Sequence, residues 1–172
     1  IPAIAMTEPD AGSDLAGMRS TAVEQDDPWL LSGSKTYISN GINADLVVVA
    51  AKTDPENNPH AMTLFLVERG MEGFERGRNL KKMGLKGQDT AELFFNDVRV
   101  PRENLLGEQD RGFYHLMHGL AEERLLAAVG FQANAEAAYA VTADYIGDRR
   151  LFGKSLAEFQ NTRFKMAEMR TE

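Results

Sequence analysis

Cysteine is absent from all 172 residues, which excludes disulfides, thiolate metal sites and a cysteine nucleophile. The absence fits a reducing compartment. Histidine is scarce: His60, His115 and His118 are the only three. His115 and His118 stand three apart, a spacing that shares a helix face, but no third ligand accompanies them and no metal is expected. Positive charge is in deficit, with 19 Lys and Arg against 26 Asp and Glu, a net of -7. That balance argues against nucleic acid or an anionic membrane as the main partner, while leaving room for a local basic patch on a phosphorylated small molecule. No apolar run reaches the length of a membrane span, and no charged, apolar and small-residue succession marks a signal peptide, so a soluble protein is expected.

The 43% apolar fraction is ordinary for a globular chain able to bury one or two cores. The sequence begins at Ile1 and stops at Thr171-Glu172 within a pattern that still reads as helical, as an excerpt of a longer protein would. Up to about residue 105 the apolar runs are short and strand-like, with strands expected at 19–24, 29–32, 35–39, 45–52, 62–68 and 91–100. Ser32-Gly33-Ser34 reads as a tight hairpin, Asn40-Gly41 as a turn, and residues 54–59 as an exposed loop. Val47 to Ala51 is nearly all apolar, which predicts a strand buried on both faces. From Gly112 the spacing turns helical and runs toward Arg149, with Gly119 and Gly130 as two points of weakness; a second helix is expected from about Leu156 to the end. The expected fold class is therefore α+β: an antiparallel β domain over residues 1–105, then helices over 106–172.

Four stretches combine small and polar residues in a way packing does not demand. The first, Thr7-Glu8-Pro9-Asp10-Ala11-Gly12-Ser13-Asp14, leaves amides and hydroxyls free to face a ligand, although the same residue types also build ordinary surface turns. The second, Lys35 to Gly41, brings an aromatic ring, a hydroxyl and a sharp turn close together, although Tyr37 can equally be a strand aromatic filling one face. The third, Met83 to Phe95, sets two glycines around Lys86 but lacks the Walker pattern. The fourth, Ala121-Glu122-Glu123-Arg124, places two carboxylates about 100° apart on a helix, so that one of them can face a cleft while the other stays solvated.

In this order the stretches resemble the acyl-CoA dehydrogenase family, over essentially the whole chain. The matching motifs are residues 5–14, residues 35–41, Met83-Gly84-Leu85 with Asp97 to Pro101, and Arg149 to Gly153 with Phe159-Gln160. The resemblance implies a barrel-like middle β domain as flavin cradle, followed by the first helices of a C-terminal four-helix bundle. It implies FAD as cofactor, contacted by Ile4, Met6, Thr7, Gly12 and Ser13, and by Tyr37, Ile38 and Ser39. Many members carry tryptophan where Tyr37 stands. Arg149, Phe152, Phe159 and Gln160 match residues that reach a neighbouring subunit's FAD, which implies a homodimer or homotetramer.

The reaction so implied is α,β-dehydrogenation of an acyl-CoA in fatty acid β-oxidation, a carboxylate taking the C2 proton while flavin N5 accepts the C3 hydride. A glutamate suits this task only when substrate strips water from it and raises its pKa. Glu123-Arg124-Leu125 matches the context in which the long-chain and isovaleryl branches carry that base; other members carry it beyond this stretch of chain. The segment from Gly112 to Leu126 looks most like the long-chain branch. Ser13, Ala121, Glu122 and Arg124 would then contact the acyl-CoA, and electrons would leave through an electron-transferring flavoprotein. The implied compartment is the cytoplasm for a bacterial source and the mitochondrial matrix for a eukaryotic one. Competing readings are an acyl-CoA or nitroalkane oxidase, or a non-catalytic flavin-binding relative.

Overall fold

The computed structural model describes residues 1–56, 58 and 60–172; Asn57 and Pro59 of the expected 54–59 loop lie outside the described residues. Two compact units divide the chain, Ile1–His118 and Gly119–Glu172. The first holds strands β1 (Pro2–Ala5), β2 (Thr21–Glu24), β3 (Trp29–Ser39), β4 (Leu46–Lys52), β5 (Met62–Glu68), β6 (Phe74–Asn79), β7 (Thr90–Val100) and β8 (Leu105–Leu106). Helix α1 (Gly112–Asp148) begins in the first unit and continues into the second, which adds β9 (Arg150–Leu151), β10 (Lys154–Ser155) and α2 (Gln160–Thr171). The α+β class is as the sequence indicates.

The strands form one sheet in the order β6-β7-β3-β2-β4-β5-β8, with β1 pairing beside β4. The pairing is mainly antiparallel, but β1 and β2 both meet β4 in parallel. No pairing joins β6 to β8 among the described residues, so the sheet is open rather than a closed barrel.

Alternation along β4 explains its double burial. Val47, Val49 and Ala51 enter the main core with Trp29, Phe65 and Phe95, whereas Ala50 and Val48 pack on the opposite side with Ala11, Met18 and Leu64. That second cluster lies beneath the 7–14 loop and supports it.

The expected hairpin at Ser32-Gly33-Ser34 does not form. Residues 29–39 are one strand that pairs with β7 throughout and takes two register shifts, at Leu31/Gly33 and Lys35/Ile38. Gly33 supplies a bulge instead of a turn: its φ is +147°, and a Cβ there would sit 2.2 Å from Ser20 Oγ and 2.7 Å from Ser20 Cα. Glycine looked like turn chemistry because bulge and turn demand the same missing side chain. Strand β6 was not expected, since its sequence FERGRN lacks the β-branched residues that mark strands.

In the second unit, Gly119 and Gly130 do not interrupt α1. The final segment starts not as an α-helix at Leu156 but as a 3-10 turn over Leu156–Glu158, and α2 follows after the extended residue Phe159. Arg170 lies 5.8 Å over the Tyr139 ring, which ties α2 back to α1.

Gly33→Ala is expected to cost about 2 kcal/mol or more, through both the positive φ and the clash with Ser20. Gly84→Ala, with nothing within 4 Å of the new methyl, should stay within about 0.5 kcal/mol of the parent in urea denaturation.

Candidate functional site

The 7–14 loop is not the plain surface turn its composition permits, because two of its members are buried. Ala11 packs into the second apolar cluster, and Glu8, only 6% exposed, carries its carboxylate inside. Backbone bonds between Glu8 and Ala11, 2.9 and 3.2 Å long, close the tip. The Thr36 amide donates to the Thr7 carbonyl at 2.9 Å and joins the loop to β3.

A charge pair not anticipated from the sequence organises this junction. Lys35 Nζ, fully buried, donates to Glu8 Oε1 at 2.8 Å and to the Met6 carbonyl at 3.1 Å. The same carboxylate accepts the amides of Arg19 at 2.6 Å and Ser20 at 3.0 Å. Burial pushes the Glu8 carboxyl upward, but the hydrogen bonds from Lys35, Ser20 and Arg19 outweigh it and hold the group below the ordinary carboxylate range. Burial lowers Lys35, and Glu8 opposes that only in part. A lysine inside a strand with a glutamate in a distant loop leaves no local signal, since only the fold brings positions 8 and 35 together.

Just beyond Lys35 the second bulge of β3 changes which way the side chains point. Lys35, Thr36 and Ile38 are all buried, while Tyr37 takes a φ of +59° and stands 69% exposed. The Tyr37 ring therefore does not fill the buried face of the sheet. Ile4, Gly12, Ser13 and Ser39 are also exposed, and Met6 and Thr7 are half-buried. Among the described residues, the amides of Gly12 and Ser13 and the hydroxyls of Thr7, Ser13, Tyr37 and Ser39 have no hydrogen-bond partner.

A cavity of about 440 Å³ adjoins this loop, lined by Ser13, Asp14, Lys52, Met62, Phe113 and Tyr114 among others. Asp110, also in its wall, donates its amide to Thr63 Oγ1 at 2.8 Å and accepts a hydrogen bond from Thr53 Oγ1. Lys52 and Asp110 were not singled out by motif.

In the second unit, Ala121, Glu122, Glu123 and Arg124 are exposed on α1. Arg149, Phe152, Phe159 and Gln160 gather at the far end. There β9 and β10 form a two-residue hairpin whose tip, Phe152 (φ +51°) and Gly153 (φ +76°), has the doubly positive angles of a type I′ turn. The turn leaves Phe152 88% exposed. The Leu156 amide donates to the Arg149 carbonyl at 2.8 Å, and Phe159 caps α2. From Glu123 to Asp148 the helix rises about 38 Å, so the two groups occupy opposite ends of the unit. Among the described residues no cluster of metal-ligating side chains occurs and no helix is long and apolar enough to cross a membrane.

The fold and site thus define a protein with an open, mainly antiparallel sheet carrying a braced polar loop, followed by a long helix. The chain belongs to the acyl-CoA dehydrogenase family: the profile of the acyl-CoA dehydrogenase middle domain matches residues 3–98, and that of the C-terminal domain matches residues 110–172. It is 51% identical to the mitochondrial long-chain specific acyl-CoA dehydrogenase of Mus musculus, over 99% of this chain and 40% of that protein. Among solved structures, an acyl-CoA dehydrogenase from Geobacillus kaustophilus is 54% identical with a TM-score of 0.96, covering 99% of this chain and 46% of its own. An FAD complex of PigA is 30% identical with a TM-score of 0.93, over 99% and 45%. The chain thus spans less than half the length of these relatives.

Stability should fall with acid in a way that depends on Glu8. A carboxyl held below its ordinary range contributes stability above that range and loses it as pH drops through the lowered value. In denaturation curves between neutral pH and pH 3, Glu8→Gln should be less stable than the parent at neutral pH and should take up about one proton fewer on acid unfolding.

Proposed function

We propose that this chain is part of an FAD-dependent acyl-CoA dehydrogenase of long-chain type, with Glu123 as the base. The observation that carries the reading is the set of unpaired amides and hydroxyls on the braced loop and on β3, beside the outward Tyr37 ring. That donor set fits a flavin: free N–H and O–H groups suit a heteroaromatic ring edge and a pyrophosphate, and an exposed tyrosine suits stacking. A Cβ at Gly12 would meet nothing within 4 Å, so the loop keeps open space on its outer side. Ile4, Met6, Thr7, Gly12, Ser13, Tyr37, Ile38 and Ser39 would hold the cofactor, which when bound supplies hydride acceptance.

Ser13 borders the cavity, where it would meet the thioester, while Lys52 in the same wall offers a cation to the phosphates of CoA. On the helix, Glu123 would remove the C2 proton, and a carboxylate becomes the stronger base when bound substrate excludes water around it. Ala121, Glu122 and Arg124 would line the nucleotide end of the substrate. Arg149, Phe152, Phe159 and Gln160, about 38 Å along the helix from Glu123, would contact FAD in a second copy of the protein, giving a homodimer or homotetramer. An electron-transferring flavoprotein would take the electrons.

Adding palmitoyl-CoA anaerobically to the full-length, flavin-loaded protein is expected to bleach the flavin absorbance, and Glu123→Gln should slow bleaching by about 10²–10⁴-fold. Equal rates in both would move the base elsewhere. No bleaching with any acyl-CoA would overturn the dehydrogenase reading, and rapid reoxidation in air would turn it toward an oxidase.

A further inference from the structure

The buried Lys35–Glu8 pair has no part in the chemistry above, yet it sits where the two flavin-facing segments meet. Its hydrogen bonds fall at both ends of the loop. Lys35 Nζ holds the Met6 carbonyl at the entry, and Glu8 holds the Arg19 and Ser20 amides at the exit. On β3 the lysine immediately precedes Thr36, whose amide ties Thr7, and the bulge that turns Tyr37 outward.

Fold stability alone does not call for such a pair. Taking two charges out of water costs several kcal/mol per ion, and well-packed apolar residues of similar volume often serve the fold as well or better. A charge pair has a different merit: it is directional, and its acceptors and donors fix backbone atoms that an apolar contact would leave free to shift. Here those atoms are backbone groups of the loop itself. A loop with unpaired amides at Gly12 and Ser13 otherwise loses conformational entropy whenever it is ordered by a ligand.

We propose that Lys35 and Glu8 are positioning residues for the cofactor: their ion pair holds the backbone on both sides of the 7–14 loop, at Met6 and at Arg19 and Ser20, against β3, so that the flavin-binding amides are set before FAD arrives. The proposal rests on the flavin reading above. It makes FAD affinity, more than fold, the property that depends on the pair.

The test uses the full-length protein stripped of flavin, titrated with FAD while fluorescence quenching is followed. The double variant Glu8→Gln/Lys35→Met, which leaves no unpaired buried charge, is expected to keep the parent's circular dichroism and cooperative melt but to bind FAD about tenfold or more weakly. A well-folded double variant with parental affinity would overturn the positioning role while leaving the flavin reading intact. A parent protein that takes up no FAD at all would overturn both. Hydrogen exchange on the unmutated protein gives a second, independent readout that does not need the variant to fold. The Arg19 and Ser20 amides should be protected already without FAD; free exchange there, with protection only on FAD addition, would overturn the clamp.

Discussion

An ammonium group sealed from water must find its solvation inside the protein, and the ion pair of Lys35 with Glu8 fixes how the 7–14 loop lies against β3. Glu8 can reach β3 only if the loop folds back on itself, which its bonds to Ala11 accomplish. Ala11 in turn can be buried only if β4 offers an apolar outer face, which Val48 and Ala50 supply. The polar loop is thus fastened from below by hydrophobic contact and from the side by charge, and what remains exposed on it is the set of groups with nothing else to bind.

Two of the residues with positive φ carry an aromatic ring outward. Tyr37 and Phe152 are bulky residues with positive φ, a conformation that costs about 1–3 kcal/mol each and persists only where surrounding structure enforces it. At Tyr37 the enforcement is the β3 bulge between buried Lys35 and buried Ile38; at Phe152 it is the two-residue hairpin of β9 and β10. Both devices put an aromatic ring outward where burial would be the default for its type. In each case the cost is met by pairing and packing nearby.

Helix α1 presents a different balance. Leu125, Leu126, Val129, Phe131 and Val141 are exposed on several of its faces, interleaved with Glu122, Glu123, Arg124 and Glu136. Glu123 and Arg124 are exposed directly before Leu125 and Leu126 on this helix. A carboxylate so placed is solvated while the helix stands open and loses that water wherever apolar surface closes over it.

Much of this was legible in the residues. Period-two alternation and the continuous Val47–Ala51 run located most strands and the doubly buried one, and the 3.6-residue period located α1, because these patterns arise from how a local element meets a core. The loop motif and the Tyr37 and Glu123 segments could likewise be picked out, since their small and polar composition is written in neighbouring positions. What only the tertiary structure decided was every feature that depends on distant partners. Gly33 became a bulge rather than a turn because β7 runs alongside it and Ser20 presses against it. FERGRN became a strand because β7 had an edge to pair with. Lys35 became a buried anchor because Glu8 came to meet it. Sequence reports local periodicity and composition, whereas register, ion pairing and close approach are set by which far-off residues the folded chain brings within a few ångströms.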